Sequence, residues 1–463
     1  FLASGDWLVP RIMGIPIWDK PPLMHWSIAV SFAFFGTEAE WAARLPAVLS
    51  AVLTSLIVAN LAARWNGQRV GLFAGLIQSS CVYVFMQGRL AEADMMLCAV
   101  VTAAMGAFAV GVVGRGPENP PIGWRLAFFG ATGLAFLVKG PIGPVLVAAG
   151  SGLFALVERK WAAWRLLLDP IGWVVMGGVI LAWPAAAMAR EPGLLEVWWR
   201  HNVERFSGDL SGGGKDPFFY LYTAAWLSLP WAPVAIFGSL TTVRAKKDPS
   251  ETSRVRFLAC WTVGMMLVLS LSAWKHKHYI IPGLPPLSIW AAIGLDRWMS
   301  GVVSERVKLG SIARFVAPLM ALLAVVGMVC GVAFASAGVP LASAVGFVAG
   351  LVGVGLWLSD WLRKKRHPQA ALAGVFASLW GAFVLVHSLA MPAVDDYRGQ
   401  SELALRVAAR LPRGADLSVV SIPDPQVTYY LPIPVRRHDT PRSLADRLSR
   451  EPFTGNEVVY VVG

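Results

Sequence analysis

Apolar residues in this chain come in long runs, not in the alternation of a half-buried strand. Twelve runs approach the length needed to cross a bilayer core of roughly 30 Å. They fall at about 41–63, 70–87, 94–113, 126–139, 141–157, 171–189, 217–242, 255–273, 280–295, 315–335, 341–360 and 369–391. A weaker run, 23–36, is short and reads as an interfacial helix. The pattern predicts an all-α polytopic membrane bundle of about 12 spans over residues 1–391. Beyond 392 the pattern changes. A helical stretch, "QSELALRVAARLP", precedes the β-branched runs "DLSVVSI" and "NEVVYVVG", with Pro-rich turns between them. Residues 392–463 are therefore expected to form a small α/β extracytoplasmic domain.

Composition agrees with the pattern. Of 463 residues, 56% are hydrophobic and 15% charged, against about 25% charged in soluble proteins. Mean hydropathy is +0.58. A net charge of +12 raises the question of nucleic acid, but most basic clusters sit in short loops between apolar runs, where they set orientation in a membrane. No nucleic-acid partner is expected; membrane lipids are. Cys81, Cys98, Cys260 and Cys330 lie inside apolar runs without paired spacing, which implies neither a disulfide framework nor a thiolate metal site.

Loop charge then sorts the loops into two sets. Arg64 and Arg69, Arg115 and Arg125, Arg159 to Arg165, Arg244 to Lys247, Arg306 to Arg314, and "RKKRH" at Arg363–His367 read as cytoplasmic. Residues 1–40, "GRLAEAD" at 88–94, the turn at Lys139–Gly140, the loop 190–216, "WKHKHY" at 274–279 and the tail then lie outside. With few exceptions, the charges that depart from the positive-inside rule gather on this outer face, and polar residues collected at one side of a helical bundle are a candidate site.

Four outer segments carry possible chemistry. In "IPIWDKPPLMHW", Lys20 is either a snorkelling interfacial lysine or an ammonium held for a phosphate by the prolines that follow it. Asp6, in "SGDW", reads as the cap of a local turn. Asp94 in "GRLAEADMM", with Arg89 and Glu92 close by, suits a helix cap slightly better than a general base. The loop "WWRHNVERFSGDLSGGGKDPFFYLY" holds His201, which reads as a surface histidine, and Arg205, whose planar fork suits phosphate. In "WKHKHYIIPGLPPL", the basic cluster that includes Lys275 suits an anion, and Tyr279 is either a belt aromatic or a phosphate donor. Lys20, Lys139, Arg205, Lys275 and Tyr279 together imply an anionic ligand at membrane level, which a lipid phosphate fits better than a nucleotide.

The motifs "SGDWLVPRIMGIPIWDKPPLMHW", "ARLPAVLSAVL", "GRLAEADMML", "LVKGPIGP", "HNVERF", "PFFYLYTAAWLSLPW" and "KHKHYIIPGLPPL", in this order, resemble the bacterial GT-C membrane glycosyltransferases. That superfamily includes the dolichyl-phosphate-mannose–protein mannosyltransferases, and the resemblance is nearest to the aminoarabinose lipid A transferases. It runs from Ser4 to about Met391. It implies a polyprenyl-phosphate-linked sugar as donor, transfer with inversion, and a bacterial inner-membrane location with the site facing outward. The implied acceptor is a lipid A-like glycolipid, with protein Ser/Thr as the alternative.

On this resemblance Lys20, Arg205 and Tyr279 match donor-phosphate positions, and Lys139 matches another functional lysine. Asp94 matches the second of two catalytic outer-loop acids. The first, an Asp-Glu pair, is expected upstream of Phe1 together with a first span, for thirteen in all; the chain is expected to be incomplete at both ends. Some relatives bind a divalent ion through a Glu before the lysine and two histidines. Here Asp19, His201 and His387 are the candidate ligands, and the cofactor is otherwise unassigned. A transporter or a non-catalytic binder of lipid-linked sugar is the rival reading, though no paired, inverted halves are visible.

Overall fold

Prolines and glycines divide the apolar runs into helices. The computed structural model describes residues 1–2, 5–12, 15–16, 20–113, 119–191, 193, 196, 215–244, 248–300, 325–330, 332–333, 335, 340–364 and 367–390; in the tail it describes 406, 409–410, 417–420, 435–438, 445, 449 and 458–459. Helix α1 (Leu23–Phe35) starts after Pro21 and Pro22 and stops at Gly36, whose φ of 63° is the left-handed cap that glycine adopts without penalty. Then come α2 (Glu40–Asn66), α3 (Gln68–Ser80), α4 (Val82–Gln87), α5 (Ala93–Val112), α6 (Ile122–Lys139), α7 (Ile142–Glu158), α8 (Trp161–Leu167) and α9 (Pro170–Arg190). After these lie α10 (Phe219–Leu227), α11 (Ala232–Arg244), α12 (Pro249–Leu271), a 3₁₀ turn (Lys277–Gly283) and α13 (Pro285–Met299).

The chain divides into one unit of residues 1–10 and 16–307 and another of 11–15 and 308–463. The second unit contains α14 (Pro340–Lys364), α15 (Pro368–Leu385) and three short parallel strands, β3 (Leu417–Val420) between β4 (Val435–His438) and β5 (Val458–Val459). A two-stranded sheet, β1 (Arg11–Ile12) and β2 (Ile15–Pro16), lies near the N-terminus.

Among the described residues, five stretches are long and apolar enough to cross a bilayer: Glu40–Asn66, Ala93–Val112, Ile122–Lys139, Trp161–Arg190 and Pro249–Leu271. A sixth is a bent pair, Phe219–Leu227 with Ala232–Val243, broken at 107°. Leu23–Phe35, Ile142–Glu158, Val345–Gly355 and Leu372–Ser388 are apolar but shorter. The expected run 315–335 falls largely outside the described residues.

Two runs expected as continuous helices, 70–87 and 217–242, are in fact broken. The chain turns extended at Cys81 (φ −65°, ψ 126°), and Pro230 and Pro233 have no N–H to carry a helix on. The two breaks meet. Val82 N–H donates to the Leu229 carbonyl at 3.0 Å, and the Trp231 indole N–H donates to Ser80 Oγ at 2.9 Å. Irregular backbone inside a bundle survives only when its exposed polar groups find such partners.

Helix α5 is buried on all faces and forms the centre of the first unit. Its Phe108 packs with Phe154 of α7 and Phe257 of α12, the ring centroids 5.5–5.9 Å apart. Small residues let other helices touch. A Cβ on Gly238 of α11 would lie 1.9 Å from the Trp290 carbonyl of α13, which forces the helices apart. Gly238→Ala should therefore lower the thermal stability of the purified protein by about 1–3 kcal/mol or more; an unchanged melting temperature would mean that the α11–α13 approach is looser than described.

Candidate functional site

Two antiparallel helix ends bring opposite charges together. Asp94 lies in the first turn of α5 and Lys139 in the last turn of α6, so each charge sits at the helix end whose dipole favours it. Lys139 Nζ donates to Asp94 Oδ1 at 2.5 Å, and the two side chains are only 13% and 9% exposed. Glu92, not Asp94, occupies the N-cap position, without a capping bond. Asp94 is thus engaged with a lysine 45 residues away in sequence.

The Lys139 ammonium also lies 4.5 Å from the centroid of the Tyr279 ring, a cation–π contact. Tyr279 belongs to the 3₁₀ turn, and its ring packs against His276 at 5.2 Å and His278 at 4.7 Å. The carbonyls of that turn are held from behind. Trp261 Nε1–H donates to Pro282 O at 2.9 Å, Thr262 Oγ1–H to Gly283 O at 3.0 Å and Cys98 Sγ–H to Ile281 O at 3.7 Å. A buried aromatic core thereby sets the position of Tyr279.

Lys20 is exposed, while Pro21 and Pro22 after it are buried and anchor the backbone that carries it. It lies within electrostatic reach of Glu92, Lys139 and His278. The segment before it is tied down as well. Asp6 Oδ1 accepts from the N–H groups of Leu8 at 3.0 Å and Val9 at 3.3 Å, as the turn-cap reading expects, and from Arg190 at 3.3 Å. The indoles of Trp26 and Trp183 donate to the carbonyls of Trp7 and Leu8 at 2.7 and 2.8 Å.

Charge states follow from this crowding. The protein packed around Glu92 raises its carboxyl above the usual range, the Asp94 charge adds to that, and Lys20 and Lys139 oppose it. Because the Glu92 side chain keeps exposed surface, water limits the rise. Partial burial lowers His278 to about 4; Asp94 opposes this shift, while Lys139, His276 and Lys20 reinforce it. His278 is therefore a neutral imidazole at pH 7.

The structure thus brings together Lys20, Asp94, Lys139 and Tyr279 of the residues expected at the site. Lys275 is buried, and its ammonium donates to the Lys215 carbonyl at 3.2 Å, while Lys215 Nζ donates back to the Lys275 carbonyl at 2.6 Å. Arg205, Asp19 and His201 lie outside the described residues. His387, in the second unit, has Nδ1 2.7 Å from the Phe383 carbonyl; since a carbonyl only accepts, Nδ1 carries the proton. Among the described residues no three His, Cys, Asp or Glu side chains group as metal ligands, and the chemistry proposed below uses none. Glu92 and His278 belong to the assembly although the sequence singled out neither as a site residue. Their only signal was proximity, Glu92 two positions before Asp94 and His278 beside Tyr279.

Apolar helices that gather an acid, two lysines and a tyrosine at one end define the class: a multi-pass helical membrane protein with the fold of the ArnT crystal structures. More particularly, residues 19–187 match the family model for dolichyl-phosphate-mannose-protein mannosyltransferase. Over 300 residues the chain is 31% identical to undecaprenyl phosphate-alpha-4-amino-4-deoxy-L-arabinose arabinosyl transferase 2 of Sodalis glossinidius, covering 63% of this chain and 52% of that protein. Over 402 residues it is 28% identical to the corresponding arabinosyl transferase of Pseudomonas aeruginosa, covering 84% of this chain and 69% of that protein. The chain spans about half the length of several curated relatives that it matches. Its fold is similar to the crystal structure of ArnT from Cupriavidus metallidurans bound to undecaprenyl phosphate, with a TM-score of 0.77 at 24% identity, covering 97% of this chain and 81% of that one. The resemblance read from the motifs, to GT-C glycosyltransferases near the aminoarabinose lipid A transferases, is borne out.

Two measurements test this geometry. Lys139→Met leaves Asp94 buried without its cation and should cost about 3–5 kcal/mol of stability. Adding Asp94→Asn should restore part of that loss, whereas strictly additive losses would mean that the pair does not interact. For His278, an unfolded chain binds a proton near pH 6.5 and the folded chain only near 4. Its contribution to stability is thus fully present above about pH 6.5 and is lost as pH falls toward 4. Acid unfolding of His278→Gln should be shallower across that window than acid unfolding of the parent; matching curves would refute a neutral His278.

Proposed function

We propose that this chain is a membrane glycosyltransferase that moves a sugar from a polyprenyl-phosphate donor to an extracytoplasmic acceptor at the bacterial inner membrane, with a lipid A-like glycolipid favoured. The observation that carries this reading is the meeting of Lys20, Asp94, Lys139 and Tyr279, from four distant segments, at one end of an apolar bundle. The names of the similar arabinosyl transferases support the donor and reaction class.

In the reaction, an acceptor oxygen forms a bond to the anomeric carbon while the bond from that carbon to the lipid phosphate breaks, and the phosphate departs with the electron pair. Asp94 orients the acceptor and takes the proton of an attacking hydroxyl; Lys139 fixes Asp94 in place. Lys20 and Arg205 stabilise the charge that develops on the departing phosphate, and the Tyr279 hydroxyl donates to it. Lys275 serves the same phosphate region by bracing residue 215 against 275. One displacement without a covalent enzyme intermediate inverts the anomeric centre.

The same reading assigns residues 1–391 to the membrane domain, with the shorter apolar helices crossing as well toward twelve spans. It assigns 392–463 to a small extracytoplasmic α/β domain, which the parallel strands β3–β5 support.

The test is transfer in proteoliposomes from a radiolabelled polyprenyl-phosphate sugar, with lipid A and a Ser/Thr peptide offered as separate acceptors. Lys20→Ala and Asp94→Asn should each lower transfer by about 10²–10³-fold while insertion is unchanged. Undiminished transfer in both variants would remove Lys20 and Asp94 from the site, no transfer by the parent would remove the enzyme assignment, and labelling of the peptide alone would replace the glycolipid acceptor with protein.

A further inference from the structure

The far end of the bundle holds a second candidate site. Helices α2 and α5 run side by side in the same direction: a Cβ on Gly106 of α5 would meet Ile57, and one on Gly88, which precedes α5 in the chain, would meet Ala51 nearer the start of α2. Asp94 therefore lies level with the middle of α2, while Arg64 is in the last turn of α2. At 1.5 Å per residue the two are separated by about 20 Å along the bundle axis.

Arginines crowd this end, and most are already committed. Arg69 binds Asp296 at 2.5 Å, Arg256 binds Glu158 at 3.0 Å, Arg297 binds Glu251 at 3.5 Å and Arg125 binds Asp169 at 2.6 Å. Arg64 is different. It commits only Nε, to Asn60 Oδ1 at 2.7 Å, and its terminal nitrogens meet no acceptor among the described residues.

Beside Arg64 a groove of about 560 Å³ opens between α2 and α3. Ala59, Ala63 and Gly71 line it and are small because the helices touch there; a Cβ on Gly71 would come within 2.5 Å of the Ala63 Cβ. Leu56 and Leu72, 62% and 60% exposed, form apolar walls. Gln68, exposed and also lining the groove, joins Arg64 at the polar end.

We propose that this groove binds an anionic phospholipid of the leaflet opposite the Asp94–Lys139 site. The Arg64 guanidinium and the Gln68 amide hold its phosphate, and one acyl chain lies over Ala59 and Ala63 between Leu56 and Leu72. Charge complementarity selects the occupant: a bidentate donor at the head of an apolar trough matches a lipid phosphate, and the leaflet that faces basic loops is the one rich in anionic lipid. This inference is independent of the proposed function.

Native mass spectrometry of the full chain, titrated with phosphatidylglycerol or with phosphatidylethanolamine of the same acyl chains, tests it. The parent should retain one phosphatidylglycerol with clear preference. Arg64→Ala should weaken that binding about tenfold and Gln68→Leu by less, with unfolding temperatures unchanged because both side chains are exposed. Arg165→Ala, an exposed arginine bound to Asn119 outside the groove, should leave the binding intact. Equal retention of the two lipids by the parent, or equal losses in Arg64→Ala and Arg165→Ala, would show diffuse charge attraction and overturn the site.

Discussion

The site depends on one buried ion pair, Lys139 with Asp94, made where the end of one apolar helix meets the start of another. Removing two charges from water is expensive, and a buried pair stabilises a fold little more than a well-packed apolar substitute would. Its value here is geometric. The pair fixes the α5–α6 approach, gives the Tyr279 ring a cation to lie against, and draws Lys20, Glu92 and His278 into one electrostatic neighbourhood. Both helix dipoles favour the arrangement, so the polar cluster is compatible with an otherwise apolar bundle.

A second constraint acts throughout the first unit: backbone groups freed inside an apolar bundle need partners. The 3₁₀ turn that carries Tyr279 leaves carbonyls outside any helix, and Trp261, Thr262 and Cys98 satisfy them. The breaks at Cys81 and at Leu229–Pro230 satisfy each other through Val82 and Trp231. Irregular backbone is thus supported by specific donors reaching in from neighbouring helices. The aromatic core around Phe108 and Phe257 has a structural role in placing the turn and, through it, the site.

Much of this was legible in the chain itself. Helix α5 was expected over 94–113 and occupies Ala93–Val112, because a dense apolar run with a carboxylate at its start leaves little choice. Loop charge predicted that "GRLAEAD", the Lys139 turn and "WKHKHY" share a face, and their residues do meet. The break in 217–242 had a local signal in Pro230 and Pro233, whereas the one in 70–87 had no such proline. Their stabilising partners, Ser80 with Trp231 and Val82 with Leu229, lie about 150 residues apart, so no local pattern reports them. Lys275 shows the same limit: as a sequence feature it is a basic residue beside others, and only the fold shows its ammonium used on the Lys215 carbonyl.

The lysines at the site differ in a way that bears on how such a site handles a phosphate. Lys139 already has a carboxylate and an aromatic face, so an arriving anion would have to compete with Asp94 for it. Lys20 is exposed, backed by buried prolines, and senses the pair without being consumed by it. A charge that must meet a ligand repeatedly is better kept in water until the ligand arrives, because desolvating it in advance costs energy that binding then has to recover. A stiff Pro-Pro platform limits the entropy lost when it engages. The cost of an exposed charge at the edge of an apolar bundle is small, since the lysine stem covers apolar surface while its ammonium stays hydrated. In the reaction proposed above, Lys20 of "IPIWDKPPLMHW" and the buried pair of α5 and α6 are then not equivalent: the pair fixes the geometry, and Lys20 is the cation left over for the ligand.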